Sequence, residues 1–260
     1  MDMSLADKRA LVCGGSRGIG RAAAHALAQL GARVTVVARD PGALEAAIEG
    51  LPGGSQEHAG VTADLGKPEA VASLIGAVRT GGQIHILVNN SGGPPAGPAL
   101  AADPEQFTSA FQQHLLASHA LVKEFVPDMR GEGYGRIIQI ISTSVREPIP
   151  GLGVSNTIRG AMASWSKTLA GELGGHGITV NNVLPGFTAT ERLDYFFKTQ
   201  AEKSGRSIED VESVALQRIP AGRFARPEEV GGAVAFLASP AAAYINGISL
   251  AVDGGLSRSL

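Results

Sequence analysis

Short runs rich in β-branched and other apolar residues alternate with stretches of helical pattern along the whole chain, and this alternation limits the fold to a narrow class. The runs are 10–13, 34–38, 84–89, 136–142, 178–184 and 248–252, with a weaker one at 61–63. Helical stretches lie between and after them at 18–30, 68–79, 104–129, 154–173 and 227–238. Strand, helix and strand in succession form a βα unit, whose strands run parallel and whose helices cover both faces of the sheet. About seven strands suit one open sheet. The helix at 227–238 begins Arg226-Pro227-Glu228-Glu229, with proline at a favoured first position and two carboxylates facing the positive end of the helix dipole. A length of 260 residues, 44% of them hydrophobic, suits one domain over 1–260 with a large core, and neither a linker nor an internal repeat interrupts it.

Charge and cysteine content exclude several function classes. With 18% charged residues and a formal charge of -2, the chain carries no excess of positive charge for nucleic acid or for an anionic membrane surface. Residues 1–10 place charges where a signal peptide needs an apolar run, and no later apolar stretch is long enough to span a bilayer, so a cytoplasmic location is expected. A single cysteine, Cys13, excludes an internal disulfide and argues against a thiolate metal site, and no metal is expected. Its place at the end of a strand beside glycines reads as a small buried residue.

The first unit reads Ala10-Leu11-Val12-Cys13-Gly14-Gly15-Ser16-Arg17-Gly18-Ile19-Gly20 and continues into an alanine-rich helix. Glycines between a strand and a helix let backbone N–H groups approach a pyrophosphate at the positive helix terminus, as in a Rossmann-type dinucleotide site. Gly14, Ser16, Arg17, Gly18, Ile19 and Gly20 are therefore expected to hold a cofactor. The second strand ends Val36-Val37-Ala38-Arg39, and Ala38 offers no carboxylate to ribose hydroxyls. Arg17 and Arg39 can instead fork onto a 2′-phosphate, so NADP(H) is favoured over NAD(H). The alternative is that both arginines are solvated surface charges, with Asp40 close by.

Further motifs fall in order along the chain: Asp64-Leu65, Asn89-Asn90-Ser91-Gly92, Pro185-Gly186-Phe187-Thr188-Ala189-Thr190 and the ending Asp253-Gly254-Gly255. With these the chain resembles a short-chain dehydrogenase/reductase from Leu5 to Ser257. The resemblance implies adenine contact by Asp64 and Leu65, and a sheet-stabilising and cofactor-lining role for Asn90, Ser91 and Gly92. It also implies a nicotinamide-side role for Pro185, Gly186, Thr188 and Thr190. The implied fold is α/β, a single Rossmann-type doubly wound domain with about seven parallel strands flanked by helices, and a helical substrate lid over 191–219.

The family's catalytic groups are an asparagine, a serine, a tyrosine and a lysine. Ser142 matches the serine and precedes Ser155 by 13 residues, the family's spacing to the tyrosine. Ser155 and Arg159 therefore stand at the tyrosine and lysine positions, and His114 at the asparagine position. The three tyrosines, Tyr134, Tyr195 and Tyr244, are followed four residues on by Ile138, Thr199 and Ile248, so no Y-x-x-x-K exists elsewhere. The pattern Ser91-Gly92-Gly93-Pro94-Pro95 with Ser155-Asn156 and Arg159 is most similar to a divergent, 3-oxoacyl-[acyl-carrier-protein] reductase-like subgroup.

A serine hydroxyl is a much weaker acid than a phenol of ordinary pKa about 10. It can donate a hydrogen bond to a developing oxyanion without ionising near neutrality. Arg159 can fork onto ribose hydroxyls, but its very high pKa bars it from relaying a proton. His114 is the candidate replacement acid, because imidazole titrates near neutrality; the competing reading is that it packs in the long helix. Tyr195 on the lid is a second candidate. Leu193, Tyr195, Phe196 and Phe197 suit either an apolar or acyl substrate beneath the lid or ordinary helix packing.

Two functions follow. One is an NADP(H)-dependent oxidoreductase that reduces a 3-oxoacyl-thioester-like or other apolar carbonyl compound at an atypical tetrad. The other is a catalytically silent NADP(H)-binding protein acting as a sensor or assembly subunit. The resemblance also implies a homodimer or homotetramer through the helices at 104–129 and 154–173. Small-molecule or acyl-thioester substrates are the expected partners, and nucleic acid and membrane are not.

Overall fold

Side chains alternate across a strand, and in a sheet covered on both faces both sets are apolar, so such strands read as continuous hydrophobic runs. In the computed structural model, which describes residues 1–259, strand β1 (Arg9–Cys13) shows this directly. Ala10 and Val12 enter one core, and Leu11 and Cys13 enter the other. The remaining strands are β2 (Arg33–Ala38), β3 (Ala59–Thr62), β4 (Ile86–Asn89), β5 (Gly135–Ile140), β6 (Ile178–Pro185) and β7 (Ser249–Val252). Together they form a seven-stranded sheet in the order β3-β2-β1-β4-β5-β6-β7. Every pairing is parallel. The expected Rossmann-type architecture is the observed one.

Helices α1 (Gly18–Gln29) and α9 (Pro227–Ala238) cover one face, where Leu27 and Val234 join Val12 and Val183. Their small residues allow close approach: a Cβ on Gly231 would fall 2.7 Å from the Ala22 backbone. Helix α3 (Pro68–Arg79), α5 (Ala117–Glu132) and α6 (Gly153–Leu173) cover the other face around Leu74, Phe125 and Leu173. Cys13 is wholly buried there, and burial pushes its thiol up to about 12, so it acts as a small apolar residue.

The chain departs from the sequence reading in two places. Helix α2 (Pro41–Glu49) was not expected, although Asp40 caps it by accepting from the Ala43 N–H at 3.1 Å, with Pro41 at the first position. The helix expected over 104–129 is three pieces: α4 (Pro104–Phe111), a π-helical turn (Gln112–Leu116) and α5. The lid contains α7 (Glu191–Ser204) and α8 (Ile208–Gln217). No helix among the described residues is long and apolar enough to cross a membrane.

Candidate active site

A cleft of about 1160 Å³ opens at the carboxyl ends of the strands. It lies where the sheet order reverses between β1 and β4, the position at which open α/β sheets hold ligands. All of the residues expected to hold a cofactor line it: the glycine loop with Arg17, Arg39, the pair Asp64 and Leu65, the stretch Asn90 to Gly92, Arg159, and Pro185, Gly186, Thr188 and Thr190.

The glycine loop is built for close approach. Gly14 and Gly18 have φ of 58° and 51°, in the left-handed region that side chains resist. A Cβ on Gly20 would collide with the Gly14 carbonyl oxygen. Asn90 donates from Nδ2 to that same oxygen at 3.1 Å and locks the turn to the end of β4. This cradle, opening α1 with bare backbone, fits a dinucleotide pyrophosphate. Gly14, Gly18, Gly20 and Asn90 would shape it, and Ser16 and Ile19 border it.

Arg17 does not stand free as the 2′-phosphate reading requires. It pairs with Glu191 at 2.9 Å and with Asp40 at 3.4 Å, joining the glycine loop to the start of the lid. Both contacts are exposed, and such pairs contribute little to stability. Arg39 lines the cleft and, among the described residues, has no carboxylate within 4.0 Å.

Ser142, Ser155 and Arg159 face the other end of the cleft. Ser142 follows β5 and accepts from the Ser144 N–H at 3.1 Å, which leaves its own O–H to donate. Ser155 and Arg159 lie four residues apart on one face of α6. Asn156 steadies the preceding loop, accepting from the Ile149 N–H at 3.3 Å and donating to the Ile149 carbonyl at 2.9 Å. The Arg159 guanidinium is buried and donates to the carbonyls of Ile140 at 3.1 Å and Ser91 at 3.5 Å. Burial, reinforced by Arg192, pushes it down to about 10, so it still carries its charge at neutral pH.

His114, the candidate replacement acid, stands apart from the cleft lining. It does not line the cleft but borders a separate cavity of about 10 Å³ behind Ser91 and Arg159, with its Nδ1 2.5 Å from Ser91 Oγ. Burial, then the charges of Arg159 and Arg192, push its pKa down to about 2. It is a neutral imidazole at working pH, carrying one ring N–H rather than two. His114 Nε2 and both amide atoms of Asn89 lack a protein partner, and the cavity they border is close to the smallest size that holds one water. His114 is the buried residue of the π-helical turn.

Tyr195 is 59% exposed and does not line the cleft, whereas Leu193 and Phe196 do. Phe187, Phe196, Phe197 and Phe224 form one aromatic cluster, so part of the lid's aromatic content is packing. Gln113, Arg192 and Glu191 are among the cleft residues that escaped the sequence reading. Gln113 donates to the Gly92 carbonyl at 3.0 Å, and Arg192 donates to the carbonyls of Gly93 and Pro94, each at 3.2 Å. The signal for Arg192 and Glu191 was their place directly after Thr190, at the start of the lid helix.

The family described as Enoyl-(Acyl carrier protein) reductase matches residues 14–257. The chain is 34% identical to the uncharacterized oxidoreductase YvrD of Bacillus subtilis (strain 168) over 100% of both chains. It is 33% identical to the 3-oxoacyl-[acyl-carrier-protein] reductase FabG of Vibrio cholerae over 98% of this chain and 99% of that one. L-sorbose reductase of Gluconobacter frateurii, whose crystal structure is described as complexed with NADPH and L-sorbose, superposes with a TM-score of 0.93 at 33% identity over 100% of both chains. The chain belongs to the short-chain dehydrogenase/reductase family.

Proposed function

We propose that the protein is an NADP(H)-dependent oxidoreductase that reduces the carbonyl of a 3-oxoacyl-thioester-like or other apolar compound without the family's tyrosine and lysine. The observation that carries this reading is the single cleft that joins the glycine cradle to Ser142, Ser155 and Arg159. The L-sorbose reductase described with NADPH supports the choice of cofactor. Ala38, with no carboxylate, and Arg39, with no carboxylate partner among the described residues, support the phosphorylated form.

Bound nicotinamide supplies the hydride. The Ser142 and Ser155 hydroxyls hold the substrate oxygen, and donors aimed where negative charge develops are the largest usual contribution to such catalysis. None of Ser142, Ser155 and Arg159 is an acid that ionises near neutrality, so the substrate oxygen would take its proton from solvent reaching the cleft. Arg159 would hold the ribose hydroxyls of the bound cofactor, and its high pKa bars it from relaying the proton.

The test is NADPH fluorescence for binding, followed by absorbance on adding 3-oxoacyl thioesters, ketones, aldehydes and quinones. Tight NADPH binding, weaker NADH binding and NADPH consumption with at least one carbonyl class are expected. Binding without turnover across the panel would support the second reading, a silent cofactor-binding protein. That reading has its own observation: His114, at the tetrad's asparagine position, is buried and neutral and does not itself line the cleft.

A further inference from the structure

Arg159 and Arg192 come from different elements, α6 and α7, and both line the catalytic end of the cleft. Neither has a carboxylate within 4.0 Å among the described residues, whereas Arg17, Arg79 and Arg223 are each paired with one. Their protein partners are main-chain carbonyls alone: Ile140 and Ser91 for Arg159, Gly93 and Pro94 for Arg192. A guanidinium has five N–H donors in a planar fork, so both retain donors for a further acceptor. The nearby carboxylate, Glu191, is already committed to Arg17.

A charge held out of water without a counter-ion is costly, and Arg159 is only 8% exposed. Arg192 is exposed at the same cleft, and its charge repels that of Arg159 until an anion lies between them. Guanidinium forks match a carboxylate in two parallel hydrogen bonds. The cofactor's pyrophosphate belongs to the glycine cradle, while Arg192 braces against Gly93 and Pro94, beyond Ser91 from that cradle. Ile149, Leu152, Leu193 and Phe196 line the same region with apolar surface.

We propose that the substrate is an oxo acid whose carboxylate lies between Arg159 and Arg192, with its hydrocarbon chain against the apolar underside of the lid. This rests on the reductase reading and selects the free acid over the thioester. Arg192 is then a specificity-determining residue.

The test is calorimetric titration of the protein saturated with NADP+, using 2-hydroxyhexanoate and 3-hydroxyhexanoate and the methyl ester of each. At least one acid is expected to bind about tenfold or more tighter than its ester, the effect of one charge-assisted hydrogen bond. Arg192→Gln should abolish that preference and leave NADPH affinity unchanged, and Arg192→Lys should restore part of it. Equal binding of acid and ester, no binding of either acid, or an Arg192→Gln variant that loses NADPH instead, would each overturn the proposal. An acid preference that persists while the corresponding oxo acids consume no NADPH would sink the reductase reading and support the anion site.

Discussion

At the scale of single residues, His114 separates what position reveals from what surroundings decide. Its place in the order of motifs was legible in the sequence. Its burial behind Ser91 and its neutrality were not, because they depend on Arg159, Arg192 and the local π-helical turn. The shift has a definite sign for stability. With a folded pKa of about 2 against an unfolded one of about 6.5, the unfolded chain binds the extra proton throughout that window. Stability is therefore complete above the unfolded value and lost as pH falls below it. Between about pH 6.5 and about pH 5 this site alone should cost the wild type roughly 2 kcal/mol. Urea unfolding of the wild type and of His114→Asn at both pH values checks this, and the variant should show a shallower loss by that amount. Parallel acid limbs would mean that His114 is not held neutral. Arg17 gives a similar lesson: its approach to the cofactor end was readable, but its partner Glu191 lies 174 residues away in sequence.

At the scale of elements, the strands and most helices were readable because their patterns are long and their ends are marked by glycine or proline. Helix α2 was missed because nine residues carry little periodicity, and Asp40 was weighed only as a charge close to the two arginines when it is the helix cap. The break between α4 and α5 was missed for another reason: one extra residue in a π-helical turn leaves the apolar pattern nearly continuous on both sides. The β1–α1 turn was the most legible element, since its glycines answer to steric needs that no other residue meets. Gly20→Ala is therefore expected to weaken NADPH binding by more than tenfold, a loss above about 1.4 kcal/mol, because the new methyl group must displace the Gly14 carbonyl or Asn90. Fluorescence titration measures the affinity, and circular dichroism shows whether the fold survives. A folded variant that binds NADPH normally would mean that the loop has room the geometry denies.

At the scale of the whole molecule, sheet order follows from handed βα crossovers, which is why a parallel doubly wound sheet could be read from the alternation of strands and helices. Assembly could not be read this way, because the same small and apolar residues serve either the sheet or a neighbouring subunit. The structure divides them. Leu169 and Ala170 of α6 are buried in the core, whereas Leu100, Phe111 and Leu116 are 100%, 38% and 41% exposed on segments that pack along α6. Exposed apolar side chains gathered on neighbouring segments are the usual mark of a covered surface. We expect a homodimer or homotetramer formed through this face, with a mass by light scattering of two or four times 26.6 kDa. The substitutions Phe111→Asp and Leu116→Asp together should shift the protein to the single-chain mass, since each sets a charge where apolar contact is needed. A wild type that already runs at the single-chain mass would discard the assembly. A double variant that stays assembled would move the interface to another face.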